Sequence, residues 1–186
     1  SNDPRPFDVE PSSELASRVG KKVSLRTLVE LMMTASDKVA CNNLIAQAGG
    51  PKGVTDCIRA LGLERSDVKR LMEDEQASAE GRNSVAVPRE YAKLLDMLWH
   101  GEVVSPAASR EMLDLLGRVR DESMIPAKLP KQTRVAHRTG AIPGVRNDVG
   151  IVTFGSRSYV AVFFSRKLAD DRRGEERIGA ASRVLF

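Results

Sequence analysis

The chain has 186 residues, 41% hydrophobic and 29% charged, enough apolar material for one globular domain with its own core. No apolar run approaches the ~20 residues of a bilayer span, and no signal-peptide pattern opens the chain, so neither membrane crossing nor export can be read from it. The net charge of +4 is spread along the chain in mixed-sign blocks such as Lys167 to Arg177, with no basic patch interleaved with aromatics, and it makes no case for a nucleic-acid partner.

Residues 1–22 hold Pro4, Pro6 and Pro11 and no clear period, which predicts an irregular lead-in. A helix begins at Ser24, with Leu25, Leu28, Val29, Met32 and Met33 at the spacing of one buried face. It breaks at Ala35-Ser36-Asp37-Lys38. A second helix runs from about Val39 to Ala48 and stops at Gly49-Gly50. Pro51 opens a third, with Val54, Cys57, Ile58 and Leu61 inward and Gly62 as its stop. Cys41 and Cys57 lie in these apolar patterns and read as small core residues rather than a disulfide; with no Cys/His cluster, no metal site and no cofactor is expected.

Leu63 to Val87 is a long connection rich in charge and small residues, with Glu73-Asp74-Glu75 near its middle. A structureless segment of this length is a functional loop or a disordered one. Pro88 starts a helix striped by Tyr91, Leu94, Leu95 and Leu98 and closed by Gly101. Ser105-Pro106 combines an N-cap with proline at the first helical position and leads a helix carrying Met112, Leu113, Leu115 and Leu116.

From Arg134 the period changes. A short apolar run crosses a polar Arg138-Thr139-Gly140 step and reaches a Pro143-Gly144 turn, where proline presets φ and glycine accepts a positive value. A second strand is expected from Asp148 to Gly155, a turn at Gly155 to Ser158, and a third strand from Tyr159 to Ser165. Asp170 to Phe186 reads as a charged terminal helix with Ile178, Ala181 and Val184 inward. Helices, then an antiparallel meander, then a helix make an α+β fold with segregated layers. A cation, a hydroxyl and a bare glycine in a row on a strand can serve an anionic ligand with charge, a hydrogen bond and close backbone approach. The same residues also suit an ordinary hairpin with a solvated arginine.

Ser36-Asp37-Lys38 at a helix break, followed about a hundred residues later by Arg138-Thr139-Gly140 on a strand, resembles the motif set of class A β-lactamases and penicillin-recognising serine hydrolases, S-x-x-K, S-D-N and K-T-G. Ala40-Cys-Asn-Asn-Leu-Ile45, Gly49-Gly-Pro-Lys52, His100-Gly-Glu-Val-Val-Ser-Pro106 and Arg146-Asn-Asp-Val-Gly150 extend the resemblance over most of the chain from about Val23. It implies a β-lactamase/DD-peptidase-like helical cluster packed on an antiparallel sheet over residues 23–186. It also implies acyl transfer on a β-lactam or a D-amino-acid peptide amide, and an exported or periplasmic location. In such an enzyme a serine activated by a lysine attacks the amide while backbone N–H groups hold the oxyanion. The resemblance assigns Ser36 as proton relay, Asp37 as structural carboxylate, Arg138 with Thr139 and Gly140 as the carboxylate-binding strand, and Asn42 as the brace of the neighbouring loop.

Four departures accompany the matches. The family's S-x-x-K helix precedes S-D-N, and here the one such string, Ser66-Asp-Val-Lys69, follows it and reads as a chance match. The loop string E-x-x-L-N is absent; alignment on Arg70 sets Met72, which cannot act as a base, at the glutamate position, leaving Glu73 as the fallback loop base or as part of a solvated acidic turn. Lys38 replaces the asparagine of S-D-N, donating but never accepting, and either adds charge beside Ser36 or pairs with Asp37 or solvent. Arg138 replaces the lysine of K-T-G; it grips a carboxylate with two donors but cannot shuttle a proton. The strands that precede the nucleophile helix in this fold are also missing, so an incomplete sheet with an unpaired edge is expected. The chain is therefore expected to be the carboxy-terminal part of a longer protein, completed by a missing N-terminal fragment or by self-association. A catalytically silent family member that keeps a carboxylate-binding or structural role is the alternative.

Overall fold

The computed structural model describes residues 13–186, which divide into two compact units with the boundary between Val85 and Ala86. The first twelve residues, with the prolines of the expected lead-in, lie outside the described residues.

In the first unit, α1 (Leu25–Ala35), α2 (Lys38–Gln47) and α3 (Gly50–Ala60) follow in quick succession, with a short α4 (Glu75–Ala79) further on. The boundaries have local causes. Ser24 caps α1 by accepting from Thr27 N–H, and Asp37 caps α2 by accepting from Ala40 N–H. The core is Leu15, Leu28 and Ala40, packed by Val23, Leu31, Met32, Val39 and Leu44. Leu15, in the stretch expected to be irregular, is thus a core residue beside a 3₁₀ turn at Ala16–Arg18. Two expectations fail here. Leu25, in the first turn of α1, is 58% exposed, and Cys57 is exposed on α3, which buries no residue fully. Periodicity placed Leu25 and Cys57 on the apolar stripe, but among the described residues neither position is covered. Leu63, just past α3, is buried instead. Neither cysteine forms a disulfide among the described residues.

The long connection is not structureless. Asp67 and Val85 pair across its base, Asp74 caps α4, and Ala77 is buried beneath it.

In the second unit, α5 (Pro88–Trp99) and α6 (Pro106–Leu116) precede three antiparallel strands, β1 (Arg134–Ile142), β2 (Val145–Phe154) and β3 (Arg157–Phe164), and α7 (Asp171–Leu185) closes the chain. Among the described residues the sheet order is β1-β2-β3, with β1 and β3 at its edges. Pro143-Gly144 forms a two-residue hairpin with Gly144 at φ 75°, and the pairing Ile142↔Val145 draws β2 back three residues from its expected start.

The sheet carries helices on both faces. Even-numbered residues of β2 turn toward α7: Val152 joins Met124, Ile125, Ala161 and Ile178 in one core, and Arg146 bonds Asp171 and Glu175 of that helix. Odd-numbered residues, Val149 and Ile151, turn toward α5 and α6. With both faces covered, five consecutive residues of β2, Asp148 to Val152, are buried. On α7 the inward residues are Gly174, Ile178, Gly179 and Ser182, whereas Ala181 and Val184 face out, Val184 at 85% exposure. Small residues set that phase: Gly179 lies against the Met124 carbonyl, and Ser182 donates to Ile125 O at 3.0 Å. Among the described residues, no helix is long and apolar enough to cross a membrane.

Candidate active site

The first unit supplies a hydroxyl, a cation and a fastened loop. Ser36 closes α1 in the left-handed conformation, φ 57°, and is exposed at the helix junction. A non-glycine residue there costs ~1–2 kcal/mol, so the surrounding structure must hold it. Part of that hold is Asp37, 7% exposed, whose carboxylate receives Ala40 N–H at 2.9 Å and Ser13 Oγ at 2.7 Å. Asp37 is the structural carboxylate of the junction.

One turn along α2, Asn42 braces the loop. Its Oδ1 accepts from Met72 N–H at 2.8 Å and its Nδ2 donates to Met72 O at 3.2 Å. Lys38, four residues earlier on the same helix face, pairs with Glu73. Two side chains of α2 thus fasten two successive loop residues. Lys38 thus has Glu73 as an ion-pair partner, while its side chain stays 43% exposed. Glu73, the fallback loop base, is half-exposed, held at φ 60°, and engaged by an ammonium. Four non-glycine residues have positive φ among those described, and two of them are Ser36 and Glu73. No periodicity argument could have found that strain.

Ser66 and Lys69 do not share a helix face. Ser66 is buried in extended loop, and Lys69 lies 3.5 Å from Asp67.

In the second unit, Arg138, Thr139 and Gly140 sit on the edge strand β1. Strand alternation sends Arg138 to the face shared with Val149 and turns Thr139 to the face shared with Asp148. Thr139 hydrogen-bonds Asp121 through its hydroxyl. Burial pushes the Asp121 carboxyl upward, but the hydrogen bonds from Ser123 and Thr139, with His137 nearby, outweigh it and hold the group below the usual range. Gly140 is exposed, and a side chain there would meet only Asn147 Cβ at 4.0 Å. The Arg138 guanidinium itself donates from Nη1 to the Thr139 carbonyl at 3.2 Å, and an edge strand can in general pair with an extended amide ligand.

Sequence reasoning missed His137, which is 2% exposed. Its Nδ1 lies 3.0 and 3.1 Å from the two oxygens of the fully buried Asp148, and Asp148 also accepts from Ile125 N–H at 2.8 Å. A lone histidine in an apolar run carries no sequence signal of that pairing. A separate groove of about 520 Å³, lined by Trp99, Leu113, Val135 and Ile151 among others, contains none of the candidate residues.

The model of the beta-lactamase enzyme family matches residues 5–186, running across both units. The β-lactamase CARB-3 of Pseudomonas aeruginosa is 27% identical over 160 residues, covering 85% of this chain and 52% of its own length. The crystal structure of a β-lactamase from Sphaerobacter thermophilus aligns at a TM-score of 0.79 with 32% identity, over 88% of this chain and 62% of that one. The structure of PBP-A aligns at 0.78 with 31% identity, over 88% and 60%. The chain spans about half the length of the curated relatives it matches, 52% and 60% for the first two. The α+β fold of helices on an antiparallel sheet is that of the class A β-lactamases and PBP-A, and by sequence and structure together the chain belongs to the beta-lactamase enzyme family.

Proposed function

We propose that residues 23–186 form the carboxy-terminal portion of a serine hydrolase domain that transfers an acyl group from a β-lactam or a D-amino-acid peptide amide. In this reading Ser36 relays a proton toward the leaving nitrogen and Lys38 contributes charge beside it. Arg138 grips the substrate carboxylate, with Thr139 and Gly140 shaping the strand that pairs with the substrate amide. The observation that carries the reading is the α2–loop junction. Ser36 is exposed and strained beside a buried capping Asp37, and Asn42 clasps the Met72 backbone from both sides. The one Ser-x-x-Lys string in these 186 residues, Ser66 to Lys69, follows Ser36 instead of preceding it, so turnover in this reading requires the acylating pair from elsewhere in the source protein.

A second reading has its own support. Met72 carries no base, and Glu73 spends its charge on Lys38. Those two facts favour a binding module that holds a carboxylate ligand without hydrolysing it, or an acyl-enzyme that is released slowly. Labelled penicillin applied to the protein as its source expresses it separates the readings. A covalent adduct that turns over supports the hydrolase. Reversible carboxylate binding with no adduct supports the binding module, and no interaction at all overturns both.

A further inference from the structure

The two neighbours of Arg138 are both tied down on the opposite face of the sheet from it. His137, on one side, meets both oxygens of Asp148, at 3.0 and 3.1 Å, and Asp148 is in turn fixed by Ile125 N–H at 2.8 Å. The Ile125 carbonyl receives Ser182 Oγ of α7 at 3.0 Å, so the tether ends on a helix. Thr139, on the other side, is held by Asp121, which also receives Ser123 N–H at 3.0 Å. The sheet leaves room for this arrangement at one position. Gly150 lies opposite His137, and a Cβ there would come within 2.6 Å of His137 Cβ and 2.8 Å of the Ala136 carbonyl oxygen. Asp121 and Asp148 thus form a rail of carboxylates along the helix-α7 side of β1, while the guanidinium points away from it.

We propose that His137 and Asp121 are positioning residues for Arg138: they fix the strand on both sides of the guanidinium, so that its two donors meet a ligand carboxylate without paying for strand order on binding. The inference rests on the carboxylate-binding reading of Arg138 given above. Neither residue touches the ligand. An unanchored edge strand is free to fray, and preorganised donors bind more tightly than mobile ones because less entropy is lost.

The test uses the 186-residue chain and two readouts, amide hydrogen exchange along β1 and titration with benzylpenicillin as the carboxylate probe. Asp121→Ala removes the acceptor for Thr139 at a half-buried position; Asp121→Asn restores an oxygen acceptor. The expected result is exchange at 138–140 faster by about 10-fold in Asp121→Ala, confined to that segment, with benzylpenicillin affinity reduced about 5-fold and both recovered within about twofold by Asp121→Asn. His137→Asn, whose amide can still donate to Asp148, keeps the exchange pattern that His137→Ala loses. Exchange at 138–140 that Asp121→Ala leaves unchanged overturns the proposal. So does a change spread evenly over β1, β2 and β3, the mark of a merely structural residue. If the unaltered chain binds no benzylpenicillin, the carboxylate-binding reading falls, and the exchange data still decide whether the rail orders Arg138.

Discussion

Replacing Asn42 by alanine tests the loop brace directly. Asn42 is 7% exposed and makes two hydrogen bonds to the Met72 backbone, 2.8 Å from Met72 N–H to Oδ1 and 3.2 Å from Nδ2 to Met72 O. Each bond contributes about 1 kcal/mol net, and truncation also leaves a small void beside the loop, so the local anchoring lost is about 2–3 kcal/mol. At about 1.4 kcal/mol per tenfold, exchange of the Met72 amide then speeds by roughly 30- to 100-fold. Global stability falls by less, because alanine is the better helix former inside α2 by about 0.5 kcal/mol. The assay is hydrogen exchange read by NMR beside urea denaturation of the same samples. Asn42→Asp is the control: it keeps the acceptor for Met72 N–H but sets a carboxylate against the Met72 carbonyl, so the Met72 amide stays slower than in Asn42→Ala while the loop still loosens. A Met72 exchange rate within about threefold of the unaltered chain in Asn42→Ala would refute the brace.

Three further outcomes follow from particular contacts. Gly53 lies in α3 where a Cβ would overlap the Ala48 carbonyl oxygen, so Gly53→Ala forces the α2–α3 turn to move and costs about 1–3 kcal/mol in denaturant melts, despite alanine's helix preference. Val104 is 83% exposed and holds φ 62°, a poor conformation for a β-branched residue; Val104→Gly releases about 1–2 kcal/mol of strain against about 0.5–1 kcal/mol of added chain entropy, and the melting temperature holds or rises. Asp121 has a folded pKa lowered below its unfolded value, so the stability it contributes is present above the unfolded pKa and is lost as pH falls through the lowered folded value. Melting temperatures of the unaltered chain and Asp121→Asn are therefore expected to differ at pH 6 and to converge near pH 2, and a gap that widens in acid contradicts the sign.

Much of the fold was legible because its boundaries rest on local chemistry. Ser24, Ser105 and Asp170 each cap the helix that follows through a side-chain oxygen, and Pro143-Gly144 closes the hairpin with the torsions those residues favour. What failed depends on partners distant in sequence. The periodic stripe that placed Leu25 and Val184 inward is silent about whether anything packs against the ends of α1 and α7. α4 escaped notice because five residues carry too little period to register, and it persists on the Asp74 cap and buried Ala77. At the site, residue types and order pointed to Ser36, Lys38 and Arg138. The Lys38–Glu73 pair and the His137–Asp148 contact join residues 35 and 11 positions apart, and spacing alone predicts neither. The alternation that separates Arg138 from Thr139 was implicit in the strand, but its consequence, Thr139 bonding Asp121, needed the fold.

The account stands or falls on the guanidinium of Arg138 as the carboxylate grip. The direct measurement is calorimetric or NMR titration of the chain with benzylpenicillin, compared with Arg138→Ala and with the methyl ester of the same ligand. The account predicts that the alanine variant weakens binding by about 1–3 kcal/mol, roughly 5- to 150-fold, and that esterifying the carboxylate costs the unaltered chain as much but the variant almost nothing. Equal affinities for acid and ester in the unaltered chain, or an alanine variant that binds as well as its parent, would contradict it.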